Sequence, residues 1–292
     1  TSLISRAFTD LTKKENTKKT PSKFGLFKNK TANKNCFVLD FHGDIKATEV
    51  QQLREEISTL LTVAQAEDEV IVRLESSGGM VHAYGLAAAQ LARIKEAGLN
   101  LTVCIDKVAA SGGYMMACVA DKILAAPFAV VGSIGVVAQV PNFHDLLEKH
   151  DIDVEVFTAG KYKRTVTVFG ENTEEDKQKF QQELEETHKL FKDFVRKYRP
   201  SLDVEQVATG EHWYGEDAIT RNLVDALQTS DSYILEKMTD SELYAIQSRQ
   251  KPTIAQKLGI SQAAQAVVAT AIDKLPDTLA KLESAKMPMV KK

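Results

Sequence analysis

The chain has 292 residues, of which 43% are hydrophobic and 26% are charged, a balance typical of a soluble globular protein with one large domain or two small ones. The formal net charge of −3 is too small to indicate a nucleic acid as a partner. The sequence has no apolar run of about 18 residues or more, so no segment of it is predicted to span a membrane.

The charge is distributed unevenly along the chain. Residues 1–35 contain nine Lys or Arg residues but only Asp10 and Glu15 as acids, which makes this leader strongly basic and leaves the remainder acidic. Few apolar residues occur in the leader, so we expect a disordered linker. The alternative is a segment that lies beside anionic lipid headgroups, where each Lys contributes about 1 kcal/mol. The chain begins with Thr instead of Met, so a removed anchor or signal peptide is a further alternative.

Strand and helix patterns alternate after the leader. The predicted strands are Cys36–Phe41, Glu69–Glu75, Leu101–Asp106, two short runs at 122–127 and 130–137, and Asp153–Ala159, which is expected to complete the core. The predicted helices cover residues 47–64, residues 81–98 with a stop at Gly98, and the segment after Ser111. This alternation indicates an α/β domain with a largely parallel sheet.

A long amphipathic helix follows, from Asn172 to Arg199, with Asn172 or Thr173 as its cap. Its predicted buried stripe is Phe180, Leu184, Phe191, Val195 and Tyr198. Residues 210–227 are predicted to form a turn and a short helix. The domain boundaries predicted from these patterns are 1–35 for the leader, 36–240 for the main domain and 241–292 for an extension. A helical pattern at 264–275 makes that extension either a peripheral helix or a tail.

Two glycine-rich turns, SSGG at 76–79 and ASGG at 110–113, each follow a predicted strand and lead into a helix. In a parallel sheet such turns converge at one edge, which is where ligands bind. Ser111 is therefore a candidate nucleophile, although a serine at this position is more often a helix cap. The N–H groups of Gly112 and Gly79 are candidate donors to an oxyanion, because the first N–H groups of a helix have no internal partner.

A serine nucleophile needs a base. His82 is the best-placed histidine, but no acid nearby in the sequence would orient it. Lys161 and Lys163 lie beside Arg164, and a lysine acts as a base when burial and a neighbouring charge keep it neutral. Composition alone does not choose between the two lysines.

Metal and cofactor chemistry is not expected. Cys36, Cys104 and Cys118 form no CxxC pair and are predicted to be small core residues instead of disulfide or metal ligands. His144 and His150, the closest pair of histidines, lack the spacing that places two ligands on one helical face.

The motifs LESSGGMVHAYG, DKVAASGGYMMACVADKI, FAVVGSIGVVAQ and FTAGKYKR resemble the bacterial signal peptide peptidase family, peptidase family S49, and in particular its SohB-like single-domain branch. By this resemblance the nucleophile is Ser111, the general base is Lys163 and the serine that orients the lysine is Ser133. The oxyanion donors are Gly79 and Gly112. The chain departs from the family pattern at Ser77, where proline is usual.

The resemblance implies a ClpP/crotonase-type fold of repeated ββα units and no metal or cofactor. It also implies a homo-oligomer, a tetramer or octamer, in which the long helix packs beside a neighbour. The implied substrates are membrane-released or unfolded peptides such as remnant signal peptides. The family's N-terminal membrane anchor is absent from this sequence, so attachment to the bacterial inner membrane, with the catalytic domain on the periplasmic side, is inferred only. Two alternatives are an acyl-CoA enzyme of the crotonase type, with Glu75 as the acid or base, and a non-catalytic peptide-binding scaffold at the membrane.

Overall fold

The structure, a computed structural model, describes residues 34–248. Nearly all of the predicted leader and most of the predicted extension, with the pattern at 264–275, lie outside the described residues. The strands are β1 (Asn35–Gly43), β2 (Glu69–Ser76), β3 (Asn100–Ile105), β4 (Val108–Ala110), β5 (Lys122–Ala125), β6 (Val130–Gly132), β7 (His212–Tyr214), β8 (Ala226–Leu227) and β9 (Glu242–Ala245). The helices are α1 (Val50–Leu60), α2 (Val81–Glu96), α3 (Gly112–Ala117), α4 (His144–Glu148), α5 (Glu174–Tyr198), α6 (Val204–Val207), α7 (Gly215–Thr220) and α8 (Ser230–Lys237).

In this part of the chain the strands form one sheet with a branch. β9, β1, β2, β3, β5 and β8 lie side by side in that order and pair in parallel. Only the last residue of β2, Ser76, pairs with Ala109 of β4, and β4 continues the branch to β6 in parallel. β7 closes the branch by pairing antiparallel with β6. The successive elements β3, β4 and α3 form a ββα unit, so the predicted α/β, ClpP/crotonase-type arrangement is confirmed.

The main strands are buried on both faces, which explains why their sequences read as continuous apolar runs. In β1, Phe37, Leu39 and Phe41 join the large core beneath α1, α2 and α3. Cys36 and Val38 point to the other face, where they pack with Tyr233 of α8 in a smaller core. The side-chain period of two in a strand therefore divides β1 between two cores.

Two of the predicted helices end before the predicted limits. α1 is shorter than predicted, and its fully buried residues Leu53, Ile57 and Leu60 lie about one helical turn apart on the core side. α2 ends at Glu96, and Gly98 adopts a left-handed φ of 79° just after it. The predicted stop at Gly98 is confirmed.

The predicted strand at Asp153–Ala159 is wrong. This segment has no regular structure, and its apolar side chains, including Phe157 at 87%, are exposed. A strand needs a neighbouring edge to accept its backbone hydrogen bonds. The outer edge of β6 is occupied by β7, a strand that the sequence patterns did not predict.

Helix α5 is capped at its N-terminus as predicted. The Thr173 side chain accepts from the Asp176 N–H while the Asp176 carboxylate accepts from the Thr173 N–H, a capping box. Of the predicted stripe, Phe191 and Val195 are buried, whereas the residues nearer the N-terminus are only partly covered. The C-terminal half of α5 is thus the part that packs on the core.

The sheet extends past the predicted domain boundary at residue 240. Strand β9 pairs in parallel with β1, with Glu242 opposite Asn35. The main sheet therefore includes residues on both sides of that boundary.

Candidate active site

The two predicted serines lie at the carboxyl ends of neighbouring strands. β4 ends at Ala110 and β6 ends at Gly132, and these two residues pair in register. The Ser111 N–H donates to the Gly132 carbonyl at 2.8 Å, so Ser111 and Ser133 leave the sheet together. The structure brings these two predicted site residues to one place although 21 residues separate them in the sequence.

Ser111 has an unusual backbone conformation. Its φ of 52° and ψ of −119° lie in a region that residues other than glycine rarely adopt. It stands at the N-cap of α3, and its carbonyl accepts from the Met115 N–H, but its side chain makes no capping hydrogen bond. Among the described residues its hydroxyl therefore does not serve the helix, and it remains available for chemistry.

The two glycine-rich turns converge on Ser111. Gly78 has a left-handed φ of 87°, and a Cβ at this position would lie 2.6 Å from the Gly112 nitrogen and 2.8 Å from the Ser111 Cβ. A Cβ on Gly112 would collide with the ring of Tyr84, and one on Gly113 with the Ser76 carbonyl. Only glycine fits these three positions, because backbone atoms lie too close to Gly78 and Gly113, and the Tyr84 ring lies too close to Gly112, for an added Cβ.

Two N–H groups at this convergence are not used by the fold. Within residues 34–248, Gly79 donates no hydrogen bond, while the neighbouring Gly78 and Met80 N–H groups are both satisfied. Gly112 is the first residue of α3, and in the same range its N–H has no acceptor outside the helix. Both groups are therefore able to donate to a ligand oxygen beside Ser111.

The two candidate lysines differ in what they contact. Lys161 forms an ion pair with Glu175 at 2.7 Å, and the hydrogen bond that its ammonium donates to the Glu175 carboxylate raises the pKa of Lys161 above its ordinary value. The Lys163 side chain is exposed and makes no hydrogen bond or ion pair with any described residue, Ser111 included. In the structure Lys161 is thus paired with Glu175, and Lys163 is not brought into contact with Ser111.

Two models of known protein families match this chain. The model of peptidase family S49 matches residues 93–244, more than half of the chain, and the S49 N-terminal model matches residues 3–91. The chain belongs to peptidase family S49.

Two curated relatives of this S49 chain are both named Probable protease SohB. The protein from Haemophilus influenzae is 65% identical over 76% of this chain and 63% of its own length. The protein from Buchnera aphidicola subsp. Acyrthosiphon pisum is 58% identical over 75% of this chain and 65% of its own length. The chain therefore spans slightly less than two thirds of the length of these relatives. A solved structure of the membrane-bound stomatin-specific protease 1510-N aligns with a TM-score of 0.49 and 12% identity, covering 75% of this chain and 100% of that one.

The alternative bases find little support in the structure of this S49 chain. His82 is exposed, and no described acidic residue forms an ion pair with it. Glu75 lies on the face of β2 opposite to Ser76 and pairs with Lys107 at 2.9 Å and with His42 at 3.7 Å. A crotonase-type role for Glu75 would require it to face the two N–H groups, whereas it lines a separate charged cavity with Asp40 and Arg73.

The structure also shows contacts around the Ser133 turn that the sequence patterns did not predict. Ser133 has a left-handed φ of 51°, and its N–H donates to the Glu211 carbonyl at 2.6 Å. A Cβ on Gly132 would lie 2.9 Å from the Trp213 ring. The strand β7 in the motif GEHWYG therefore holds the turn that carries Ser133. Tyr84 and Ser76, beneath the two turns, were likewise not predicted.

The cysteines are core residues, as predicted. Cys36, Cys104 and Cys118 are all buried and free. Burial raises the pKa of the Cys36 and Cys104 thiols to about 12, so they are unreactive at neutral pH. In the described range, no group of three or more His, Cys, Asp or Glu residues could hold a metal ion, and no helix is long and apolar enough to cross a membrane.

Proposed function

We propose that this chain is a serine endopeptidase that hydrolyses peptide bonds with a Ser111–Lys163 dyad. The observation that carries the proposal is the conformation of Ser111. Its positive φ presents a hydroxyl that the helix does not use, between two N–H groups that have no partner among the described residues. Family membership supports this assignment, as do the relatives' names. A hydroxyl of this kind with two converging backbone donors is the arrangement required for acyl transfer.

The proposed reaction has two halves. Neutral Lys163 takes the proton from Ser111 Oγ while Oγ forms a bond to the scissile carbonyl carbon, and the carbonyl oxygen becomes an oxyanion held by the Gly79 and Gly112 N–H groups. Collapse of this intermediate breaks the C–N bond, and the Lys163 ammonium gives its proton to the leaving amine. Water then attacks the acyl-enzyme by the same steps, which releases the acid and restores Ser111. Ser133 orients the Lys163 amine throughout.

Lys163 does not contact Ser111 in the described structure, so the proposed dyad requires Lys163 to approach Ser111. The segment 137–169 carries Lys163 and exposes an unusual number of large apolar side chains for a stretch of this length. They are Val137, Val140, Phe143, Leu146, Ile152, Val154, Val156, Phe157, Tyr162 and Phe169. An exposed concentration of large apolar side chains is typical of an interface. We therefore propose that segment 137–169 packs against another copy in a homo-oligomer, a tetramer or octamer, and that this packing orders and desolvates Lys163.

Mixing inactive chains tests this packing. Ser111→Ala protein and Lys163→Ala protein are dissociated and reassembled together, and peptide cleavage is measured. Activity in the mixture, with none in either protein alone, would show that the lysine reaches the serine of a neighbouring copy. An inactive mixture beside an active wild-type oligomer assigns both residues to the same chain. A wild-type monomer that is fully active would overturn the oligomer proposal.

The chemistry is tested with a fluorogenic peptide and a fluorophosphonate probe. Wild type is expected to cleave the peptide and to be labelled at Ser111. Ser111→Ala and Lys163→Ala are expected to lose cleavage by about 10⁴-fold or more, with circular dichroism unchanged. Lys161→Ala is the matched control, because it removes a lysine from the same segment that is paired with Glu175. Activity is expected to rise from neutral to alkaline pH, because only the neutral amine accepts a proton.

Other outcomes of the same assay identify the alternatives. A folded wild-type protein that binds peptides without cleavage or labelling would indicate a scaffold. Turnover of an acyl-CoA thioester without labelling of Ser111 would indicate a crotonase-type enzyme. Full activity of Lys163→Ala would overturn the dyad.

The substrates and the location are proposed from the family resemblance. We propose membrane-released or unfolded peptides, such as remnant signal peptides, as substrates, and the periplasmic side of the bacterial inner membrane as the site of action. Cell fractionation together with protease accessibility in spheroplasts tests the location. Recovery of the full-length protein in the cytosolic fraction would overturn it.

A further inference from the structure

A buried pair of hydroxyl groups lies directly beneath both glycine-rich turns. Tyr84 of α2 is 0% exposed and Ser76 of β2 is 2% exposed, and their hydroxyl oxygens are 2.5 Å apart. The ring of Tyr84 packs against Gly112, where it leaves no room for a Cβ. The pair therefore contacts the ASGG turn through the Tyr84 ring and the SSGG turn through the hydroxyls. The proposed mechanism uses neither Tyr84 nor Ser76.

The hydrogen bonds of this pair have a defined direction. Tyr84 Oη lies 2.7 Å from the Asp44 carbonyl oxygen, which only accepts, so the Tyr84 proton is donated there. With the Tyr84 proton donated to Asp44, the 2.5 Å contact favours Ser76 Oγ as the donor to Tyr84 Oη over donation to the more distant Gly43 carbonyl at 3.4 Å. Ser76 Oγ also accepts from the Gly78 N–H at 3.1 Å. The result is a continuous series of hydrogen bonds from the Gly78 N–H through Ser76 and Tyr84 to the Asp44 carbonyl. Bonds in such a series strengthen one another in a buried site.

This series fixes the peptide units on both sides of Gly79. The Gly78 N–H, one residue before, is held by Ser76 Oγ. The Met80 N–H, one residue after, donates at 2.9 Å to the carbonyl of Ile45, the residue next to Asp44. Tyr84 therefore anchors the loop that holds Met80 and, through Ser76, the amide of Gly78. The amide between them, the Gly79 N–H, has no partner among the described residues but is held in one direction.

We propose that Tyr84 and Ser76 are positioning residues that aim the Gly79 N–H at the oxyanion. This inference rests on the proposed function, because it gives the Gly79 N–H its role in the peptidase reaction. A donor whose direction is set before the substrate arrives needs no reorganisation in the transition state. Loss of the Tyr84 hydroxyl would leave the ring against Gly112 in place and would remove the bond to the Asp44 carbonyl and the acceptor of the Ser76 hydroxyl, which weakens the hold on the Asp44–Ile45 loop and on the orientation of Ser76.

The test is Tyr84→Phe, measured by steady-state kinetics and by inhibition with a peptide aldehyde. The adduct of the aldehyde with Ser111 has an oxygen at the oxyanion position, so its affinity reports the two donors directly. We expect kcat to fall about 10- to 100-fold, since removal of a whole donor costs about 100- to 1000-fold. The aldehyde affinity should fall by the same factor, and KM should stay within about twofold of wild type.

Tyr233→Phe is the matched control. It removes another buried tyrosine hydroxyl, which donates to Glu69 at 2.7 Å on the opposite face of the sheet. We expect this variant to lose thermal stability while kcat and aldehyde affinity remain those of wild type. Equal losses of kcat in the two variants at equal loss of stability would overturn the positioning role.

Ser76→Ala and the double variant complete the test. Because the two hydroxyls belong to one series, the double variant is expected to be no slower than the slower single variant, whereas independent contributions would multiply. If folded Tyr84→Phe keeps the kcat and the aldehyde affinity of wild type, the positioning role is overturned while the proposed function stands. A wild-type protein that neither cleaves peptides nor binds the aldehyde overturns the proposed function itself.

Discussion

The N–H of Ser111 donates to the carbonyl of Gly132 at 2.8 Å, which joins the end of β4 to the end of β6. Through this bond Ser111 and the residue after Gly132, Ser133, leave the sheet side by side, both with positive φ. Serine adopts such a conformation at a cost of about 1–3 kcal/mol, and the surrounding structure must enforce it. Strain at these two serines, which lie side by side, supports the proposal that this edge carries the active site.

Replacement of Ser111 by glycine is expected to stabilise the fold while it abolishes cleavage. Glycine adopts a φ of 52° without steric cost, whereas alanine retains the strain. We expect Ser111→Gly to exceed Ser111→Ala by about 1 kcal/mol in the free energy of unfolding, measured by urea denaturation. A Ser111→Gly protein that is less stable than Ser111→Ala would contradict the backbone strain inferred at this position.

Replacement of Gly78 by alanine is expected to inactivate the protein. A Cβ at Gly78 meets the Gly112 nitrogen at 2.6 Å, so one of the two turns must move and its donor is displaced. We expect kcat to fall by about 100-fold or more, measured with the fluorogenic peptide. The control is Gly98→Ala, which has a similar φ of 79° but no atom within 4 Å of the added Cβ, and it should keep its activity. Comparable losses in both variants would show that backbone strain is responsible instead of the collision.

Ser133→Ala is expected to slow catalysis without a change of fold. Alanine keeps the same backbone strain, so only the hydroxyl that we propose to orient Lys163 is removed. We expect kcat to fall about tenfold or more while thermal stability stays close to that of wild type. The exposed Ser201→Ala serves as the control. Unchanged kcat in Ser133→Ala would remove this residue from the site.

The pH dependence of stability is expected to report the contacts between α8 and the sheet. Burial of the Glu69 carboxyl raises its pKa, but hydrogen bonds from Lys237, Thr102 and Tyr233 outweigh this and hold the pKa of Glu69 below its ordinary value. A depressed carboxyl pKa stabilises the fold above the unfolded value of about 4.3 and loses this effect as the pH falls through the folded value. The difference in melting temperature between wild type and Glu69→Gln should be largest near neutral pH and shrink below about pH 4.

The contribution of Tyr233 to the stability of the same contacts is lost at alkaline pH, the opposite direction from that of Glu69. Burial raises the pKa of Tyr233 to about 12, so its contribution is complete below the unfolded value of about 10 and is lost as the pH rises towards 12. Tyr233→Phe should therefore converge with wild type in melting temperature over this range. A difference that stays constant from pH 9 to 12 would contradict the predicted contact, on the usual assumption of a two-state transition.

Local patterns in the sequence were sufficient for much of the fold. The periodicity of apolar residues predicted β1, β2, β3, α1 and α2, and the turn residues predicted the stop at Gly98. The glycine-rich turns after two strands predicted that the SSGG and ASGG turns would converge beside Ser111, because parallel strands end at the same edge. These features depend on residues that lie close together in the chain, so the sequence alone determines them.

Contacts between distant segments were decided only by the tertiary structure. Asp153–Ala159 has the alternation of a strand but stays exposed and pairs with no described strand, whereas β7 fills the edge of β6. The contact of Tyr84 with Ser76 and Asp44 depends on how α2 packs over the sheet, and periodicity identifies Tyr84 only as a core residue. The sequence determined where a serine lies beside two N–H groups that have no partner among the described residues. The packing of remote elements determined how firmly those groups are held, since no local pattern records which distant backbone a side chain will reach.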